Sequence, residues 1–558
     1  MCKQLSPRAM APTVQAPSAS KGSQNSTAAT PKRGVSKLFW PLSSTGMMVL
    51  GIALLPVVPV VAFGVIYLIA FPAIMFSFDV GTRNNVLTRF VMRVKTLLMV
   101  GWIASTFPII APCVVAYTLV KGGSLGSFTG PITEALWMWA FGTQRKRKHK
   151  RLALLTGGKM TKTLQVARCL HRQGCDVIVI ANHNYWAAAI QFSGCVYGYY
   201  TTPMAETDPH GYVDKIISII VQEKVDLYIP VSDVKTSVED SMVRDRLPPF
   251  CRPWCFDPPL TRKLDDKVQF TDLCDEMGLQ VPVAYRITSR SQLHELNKMD
   301  LKDDRYVLKH VEYDPMRRYD MFTLPCTPQE LDNYLDTRDI HPSPSDPWQA
   351  QQWITGTEYC TWSVIQAGKV LLHTCHLSSP AQLNYKYDDV PEILDWTEKF
   401  AAALNTAGQF SLDVIVRESD GECFVIECNP RTHSACVAFH DQAAAVGEVF
   451  LHGASHWTKP ENQAKLPMLP NKDHTHVYWL YQEVMKLWKV RSFQQLADRV
   501  AFLSSGRDAW FEVSDPLPFL AILYWQMPWR LLQGPLLTGN SWSKLEWCIG
   551  KVVEVGGD

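Results

Sequence analysis

From Arg151 onward the chain alternates short apolar runs with amphipathic stretches, and that alternation leaves few architectures open. RLALLTGG (151–158) reads as a buried strand running into a glycine turn. KMTKTLQVARCLHRQG (159–174) carries apolar residues at helical spacing and closes on Gly174. CDVIVIANH and VDLYIPVSD are further short buried strands. Strands buried on both faces and separated by helices predict a parallel sheet flanked by helices, an α/β domain over 152–257. A mixed α+β region follows over 258–453, and then an aromatic-rich region over 454–558.

The first 150 residues have another texture. Residues 1–37 are rich in Ser, Thr, Ala and Pro and predict a disordered tail. No acid precedes Asp79, while Lys3, Arg8, Lys21, Lys32, Arg33 and Lys37 are basic, a composition compatible with an organelle transit peptide. Met47–Phe78 carries no charge over 32 residues and Leu97–Val120 none over 24. A bilayer takes about 20 apolar residues, so 38–143 is expected to be a hydrophobic, membrane-associated region with two helical spans. RKRKHKR (145–151) then makes 144–151 either a solvated linker or a patch drawn to anionic lipid. A net charge of +2 gives no field that would favour nucleic acid. Fifteen cysteines, odd in number and without C-x-x-C spacing, predict reduced thiols and exclude a disulfide scaffold.

TGGKMTK (156–162) imitates a phosphate-binding loop and fails as one. Ala153 stands where the first glycine is needed and Met160 where a magnesium-holding hydroxyl is needed. Lys159 and Lys162 remain as expected substrate-side contacts.

The chemistry concentrates in QFSLDVIVRESDGECFVIECNPRTH (409–433). Two strands, about 410–416 and 423–429, flank a turn at Asp420-Gly421. A three-residue loop, Ser419-Asp420-Gly421, sets Asp413 directly opposite Glu427. Opposed carboxylates about 5 Å apart repel unless a cation lies between them. A magnesium ion fits, since it takes one or two carboxylates plus phosphate oxygens. Asn429 adds a neutral oxygen, and Arg431 is placed to meet charge on a transferred phosphoryl group. Upstream, Lys267 lies on a helix, Lys309 in the strand-like YVLKHV, and Glu358 two residues after the Thr355-Gly356 turn. His433 is a further substrate-side candidate, and CHLSSPAQLNYKY (375–387) lies between two binding segments. PLPFLAILYWQMPWRLLQGPLL (516–537), broken by prolines, is expected to pack on the catalytic domain rather than lie in a bilayer interface.

In this order, a lysine-bearing helix, a strand lysine, a hinge with G-x-E, a strand Asp and E-x-N-x-R resemble the ATP-grasp superfamily. The resemblance implies a Rossmann-like pre-ATP-grasp domain at 152–257 and an ATP-grasp domain at 258–453. It implies that Lys267 and Lys309 contact ATP phosphates, Lys309 also lying near the adenine. The backbone of Gln352, Trp353 and Ile354 would meet the adenine edge, and Glu358 would hold the ribose hydroxyls. Asp413, Glu427 and Asn429 would bind Mg²⁺ (or Mn²⁺), and Arg431 would act on the reacting phosphate. EYDPMRRYD (312–320) lacks the glycines usual in the phosphate-covering loop, so Arg317 and Arg318 are expected to replace backbone donors. Four segments, LLTGGKMTKTLQVARCLH, LDDKVQFTDL, ECNPRTHSA and CIGKVVEVGGD, are similar to the mycosporine-glycine synthases, the ATP-grasp ligases of mycosporine biosynthesis. That likeness implies 4-deoxygadusol and glycine as substrates. ATP use places the catalytic domain on a cytosolic or plastid stromal side. An ATP-grasp ligase acting on an ordinary carboxylate, or an inactive nucleotide-binding membrane scaffold, are the alternatives.

Overall fold

A computed structural model describes Met75 and residues 86–141, 144–299, 305–311, 321–378, 384–457 and 466–554. All belong to one compact unit, Gly64–Asp558. The expected tail at 1–37, nearly all of the first apolar stretch, and Arg317 and Arg318 lie outside the described residues.

The second apolar stretch is helical, but the helix begins earlier than expected. α1 (Val86–Val120) takes in Arg89, Arg93 and Lys95 and is, among the described residues, the one helix long and apolar enough to cross a membrane. Two of its basic residues have partners near the other end of the chain. Arg93 donates to the carbonyls of Leu536 and Leu537 at 3.1 Å, capping the end of the C-terminal helical run, and Lys95 donates to Trp542 O at 3.1 Å. That run, 517–536, continues through its prolines by opening into two π turns, at 522–526 and 532–536. Met527 and Leu531 are fully buried beside Met99 and Trp102 of α1, and Gln526 accepts from Ala189 N at 2.7 Å, so the run packs against both α1 and the chain beyond residue 151. α2 (Gly126–Phe141) follows.

The basic segment is neither a free linker nor an open patch throughout. The Arg145 side chain is largely buried and donates to the carbonyls of Val196, Ser193 and Gln191, and Asp176 accepts from the amides of Lys148 and His149 at 2.9 Å. Lys146, Arg147, Lys148 and Lys150 stay exposed.

The predicted parallel sheet is present. Strands β1 (Arg151–Leu155), β2 (Cys175–Asn182), β3 (Val196–Thr202), β4 (Leu227–Ile229) and β5 (Arg252–Pro253) lie in the order 3-2-1-4-5, all parallel. Side chains of β1 and β2 alternate between two cores: Ala153, Leu155, Val177 and Val179 on one face, Leu152, Leu154, Ile178 and Ile180 on the other.

Two antiparallel sheets follow. The first pairs β6 (Ala284–Ile287), β7 (Tyr306–His310), β8 (Thr323–Leu324) and β9 (Trp348–Gln352) in the order 6-9-7-8. The second contains β10 (Gly356–Gln366), β11 (Lys369–Leu377), β12 (Gly408–Arg417) and β13 (Cys423–Asn429) in the order 11-10-12-13. Helices Lys267–Glu276 and Pro391–Leu404 cover one face of this second sheet through Phe270, Cys274, Phe400, Phe410 and Leu412. The C-terminal region is no separate unit: Cys548 O accepts from Thr161 N (3.0 Å) and Thr161 Oγ1 (2.9 Å). Among the described residues all fourteen cysteines are free, matching the expected reduced thiols.

Candidate nucleotide and phosphoryl-transfer site

The β12–β13 hairpin decides the site, and it reaches the predicted pairing by another route. Asp413 does lie opposite Glu427. The loop, however, is four residues: Arg417 N donates to Glu422 O at 2.8 Å and Gly421 N to Arg417 O at 2.9 Å, with Gly421 at φ +75°. That register alone would set Asp413 against Ile426. Ile426 instead bulges out of the ladder, so Val414 pairs with Val425 while Asp413 pairs with Glu427. Cys423 and Val425 face the core below the bulge and Cys428 faces it above. The extra residue therefore turns Glu427 away from the core and onto the face of Asp413. The Ile426 carbonyl, out of the ladder, accepts from Gln351 Nε2 at 3.1 Å.

Other side chains converge on that face. Cys360, two residues beyond Glu358 on β10, pairs with Asp413, so Glu358 shares its side of the sheet. Ser378 Oγ donates to Glu358 Oε1 at 2.8 Å. Lys267 Nζ lies 3.6 Å from Glu427 Oε2 and donates to Val311 O at 3.1 Å. Lys309 donates to Gln351 Oε1 at 2.8 Å. Burial lowers the Lys309 ammonium, Lys267 lowers it further, and the charges of Glu427, Glu358 and Asp413 oppose that fall. Two cations and three acids thus interact across the gap between the two antiparallel sheets.

Arg431 is anchored from three sides. Nη2 donates to Asn429 Oδ1, and Nη1 donates to Asp265 Oδ1 at 3.2 Å and to Ser237 Oγ at 3.3 Å. Burial raises the Asp265 carboxyl above its ordinary range, opposed by Arg431 and assisted by Glu427.

Several expectations need correction. Two of the three hinge amides are committed: Gln352 N donates to Val283 O at 2.8 Å and Trp353 N to Arg305 O at 2.7 Å. Neither can meet an adenine edge as a donor, and Trp353 presents a half-exposed ring instead. Lys162 is not a substrate contact. Its ammonium is buried and donates to the carbonyls of Val231 (3.1 Å), Ser232 (2.8 Å) and Thr432 (2.6 Å), tying the parallel domain to the chain just after Arg431. Burial and the charge of Arg431 bring it down to about 7. Lys162→Met should strand three buried carbonyls and cost about 3 kcal/mol or more, read as a fall in denaturation midpoint. His433 is an N-cap: Nδ1 accepts from Ala435 N at 3.2 Å, and burial with nearby Lys162 lowers its pKa to about 3. The imidazole is therefore neutral, with its proton on Nε2. Lys159, by contrast, lines a cavity, where it forms an ion pair with Asp233 and lies over the Tyr185 ring. The glycine turn is no phosphate cradle either, since Gly158 N already donates to Ile180 O at 2.9 Å.

Asp265, Ser237, Gln349 and Gln351 join the site without having been expected there. The two glutamines carried a signal: in WQAQQW they alternate at period two within a buried strand, on the side of Lys309. Gln349 Oε1 is buried and finds no hydrogen-bond partner among the described residues, an acceptor awaiting a donor.

No protein-family model matches the chain. No curated protein matches it either. Solved structures similar to it include an N5-carboxyaminoimidazole ribonucleotide synthetase in an ADP complex, at 14% identity and TM-score 0.40, over 54% of this chain and 77% of that one. An L-amino acid ligase from Bacillus licheniformis gives 15% identity and TM-score 0.41, over 55% and 75%. A biotin carboxylase–beta-gamma-ATP complex from Campylobacter jejuni gives 14% identity and TM-score 0.43, over 53% and 70%. Likenesses this distant leave activity to be read from the residues themselves.

Proposed function

We propose that the chain is an ATP-grasp ligase that forms a C–N bond and releases ADP and phosphate. One observation carries this reading: the Ile426 bulge sets Asp413 and Glu427 face to face beside Lys267, Lys309 and Arg431. Opposed carboxylates flanked by lysines suit a metal–triphosphate better than a solvated hairpin does. Asp413, Glu427 and the remaining lone pair of Asn429 Oδ1 fit Mg²⁺, which when bound would neutralise charge on the phosphate oxygens. Lys267 and Lys309 would hold those oxygens, Glu358 the ribose, and Arg431 the reacting phosphate.

For the substrates we propose 4-deoxygadusol and glycine, giving mycosporine-glycine; the support is the sequence likeness of the four segments. An enolised 1,3-dicarbonyl is a vinylogous carboxylic acid. Its oxygen attacks the γ-phosphorus, the new P–O bond forming as the bond to ADP breaks. The glycine nitrogen adds at the activated carbon, phosphate leaves, and the nitrogen gives up a proton. The chain's part is positioning and charge neutralisation. A carboxylate–amine ligase shares the whole nucleotide site, and product analysis separates the two. Membrane association through the exposed apolar side of α1 (Phe90, Leu97, Leu98, Phe107, Ile109) belongs to the same proposal.

The test uses the full chain, because removing residues before 145 would strip α1 from the C-terminal run. Protein with ATP, Mg²⁺, glycine and 4-deoxygadusol should release ADP in step with product. ADP release indifferent to 4-deoxygadusol would discard the substrate and keep the class. Arg317→Ala and Arg318→Ala should each raise the KM for ATP several-fold; unchanged steady-state kinetics in both would remove them from the phosphate-covering role.

A further inference from the structure

At the carboxyl ends of β1 and β2, where open α/β sheets bind ligands, lies a cavity of about 100 Å³, room for several waters. Gly157, Gly158, Asn182, Tyr185, Asp233 and Arg530 are among the residues that line it. Two cations meet over one ring there: Lys159 Nζ and Arg530 Cζ lie 4.7 and 4.6 Å from the Tyr185 centroid. Asp233 neutralises Lys159. Arg530 pairs with no carboxylate among the described residues. Its Nη1 donates to Asn184 O at 3.4 Å and Gln533 Oε1 at 3.2 Å, while Nε is buried without a hydrogen-bond partner. A guanidinium N–H left so is costly unless a ligand oxygen completes it.

The cavity borders the phosphoryl-transfer site. Asp233 and Thr236 line it, and the next residue, Ser237, contacts Arg431. Arg530 is also held in place rather than draped across the surface. Four residues earlier, Gln526 accepts from Ala189 N at 2.7 Å and donates to Lys159 O at 3.2 Å and Gly550 O at 2.8 Å. Gly550 fits there because a Cβ would lie 2.0 Å from Lys159 O. The C-terminal region thus closes the cavity wall.

We propose that Arg530 is a substrate-binding residue whose guanidinium takes an anionic oxygen of an organic substrate seated in this cavity beside Arg431. This rests on the ligase reading above. Two sources share that chemistry, the enolate of the phosphoryl acceptor and the carboxylate of the incoming amino acid. The test measures steady-state kinetics of full-length Arg530→Gln, with Arg530→Lys as a variant that keeps the cation over Tyr185 and lacks the fork. Calorimetric titration of each protein with ATP, 4-deoxygadusol and glycine separately runs alongside. The expected result is a rise of about tenfold or more in one organic KM, partial recovery in the lysine variant, and unchanged ATP binding. A rise for 4-deoxygadusol assigns the enolate; a rise for glycine assigns the carboxylate. Wild-type affinities for both in the glutamine variant overturn the proposal while leaving the ligase standing. Failure of the ligase reading shows separately, as wild-type protein that neither binds nor turns over ATP.

Discussion

Asp413→Asn and Glu427→Gln should each lower ATP-dependent turnover by about 10²–10³-fold while leaving the denaturation midpoint unchanged or higher. The two changes are close to isosteric, and each removes one of two carboxylates held in direct register. Without a ligand, facing carboxylates repel, so losing one charge relieves the fold. Lys267, 3.6 Å from Glu427, offsets only part of that repulsion. A hairpin whose acids served stability would behave the other way, with a lower midpoint and ordinary turnover. Thermal denaturation and ADP release on the same preparations separate the two outcomes.

Arg431→Met should cut kcat by about 10³-fold with ATP affinity little changed, because a cation facing the transferred phosphoryl acts mainly in the transition state. The variant also unpairs Asp265, whose carboxyl burial already raises. With its pKa raised above the unfolded value, that carboxylate costs stability when ionised, and Arg431 offsets the cost. The midpoint deficit of the variant should therefore be largest near neutral pH and shrink on acidification, as Asp265 takes up its proton. A deficit constant from neutral to acid pH would assign Arg431 a packing role instead. Arg431→Lys should recover less than half of kcat, since a lysine cannot hold Asn429, Asp265 and Ser237 together.

What could be read from sequence depended on whether one period governed a segment. β1 and β2 are buried on both faces, so their apolar runs were plain, and the parallel sheet followed. The hairpin was harder. In CFVIECN either Cys423 and Val425 or Phe424 and Ile426 could face the core, and both patterns are apolar. A three-residue loop without a bulge and a four-residue loop with one give the same Asp413–Glu427 pair, so the pairing was legible and its cause was not. Lys162 misled for a related reason. A lysine after a glycine turn reads as a ligand contact, and only tertiary packing brings three carbonyls to it. Arg93 and Lys95 carried no such signal, because their partners, Leu536, Leu537 and Trp542, lie more than 440 residues away. Arg530 had no local signal, since its meaning comes from Tyr185, far off in the chain.

The ligase proposal stands or falls on whether Asp413 and Glu427 share a divalent ion bound to the triphosphate. Anomalous X-ray scattering from a crystal grown with Mn²⁺ and a non-hydrolysable ATP analogue would locate that ion. Manganese should lie within about 2.3 Å of an oxygen from each carboxylate, with phosphate oxygens completing the shell. Nucleotide bound elsewhere, or manganese touching neither carboxylate, would refute the shared site.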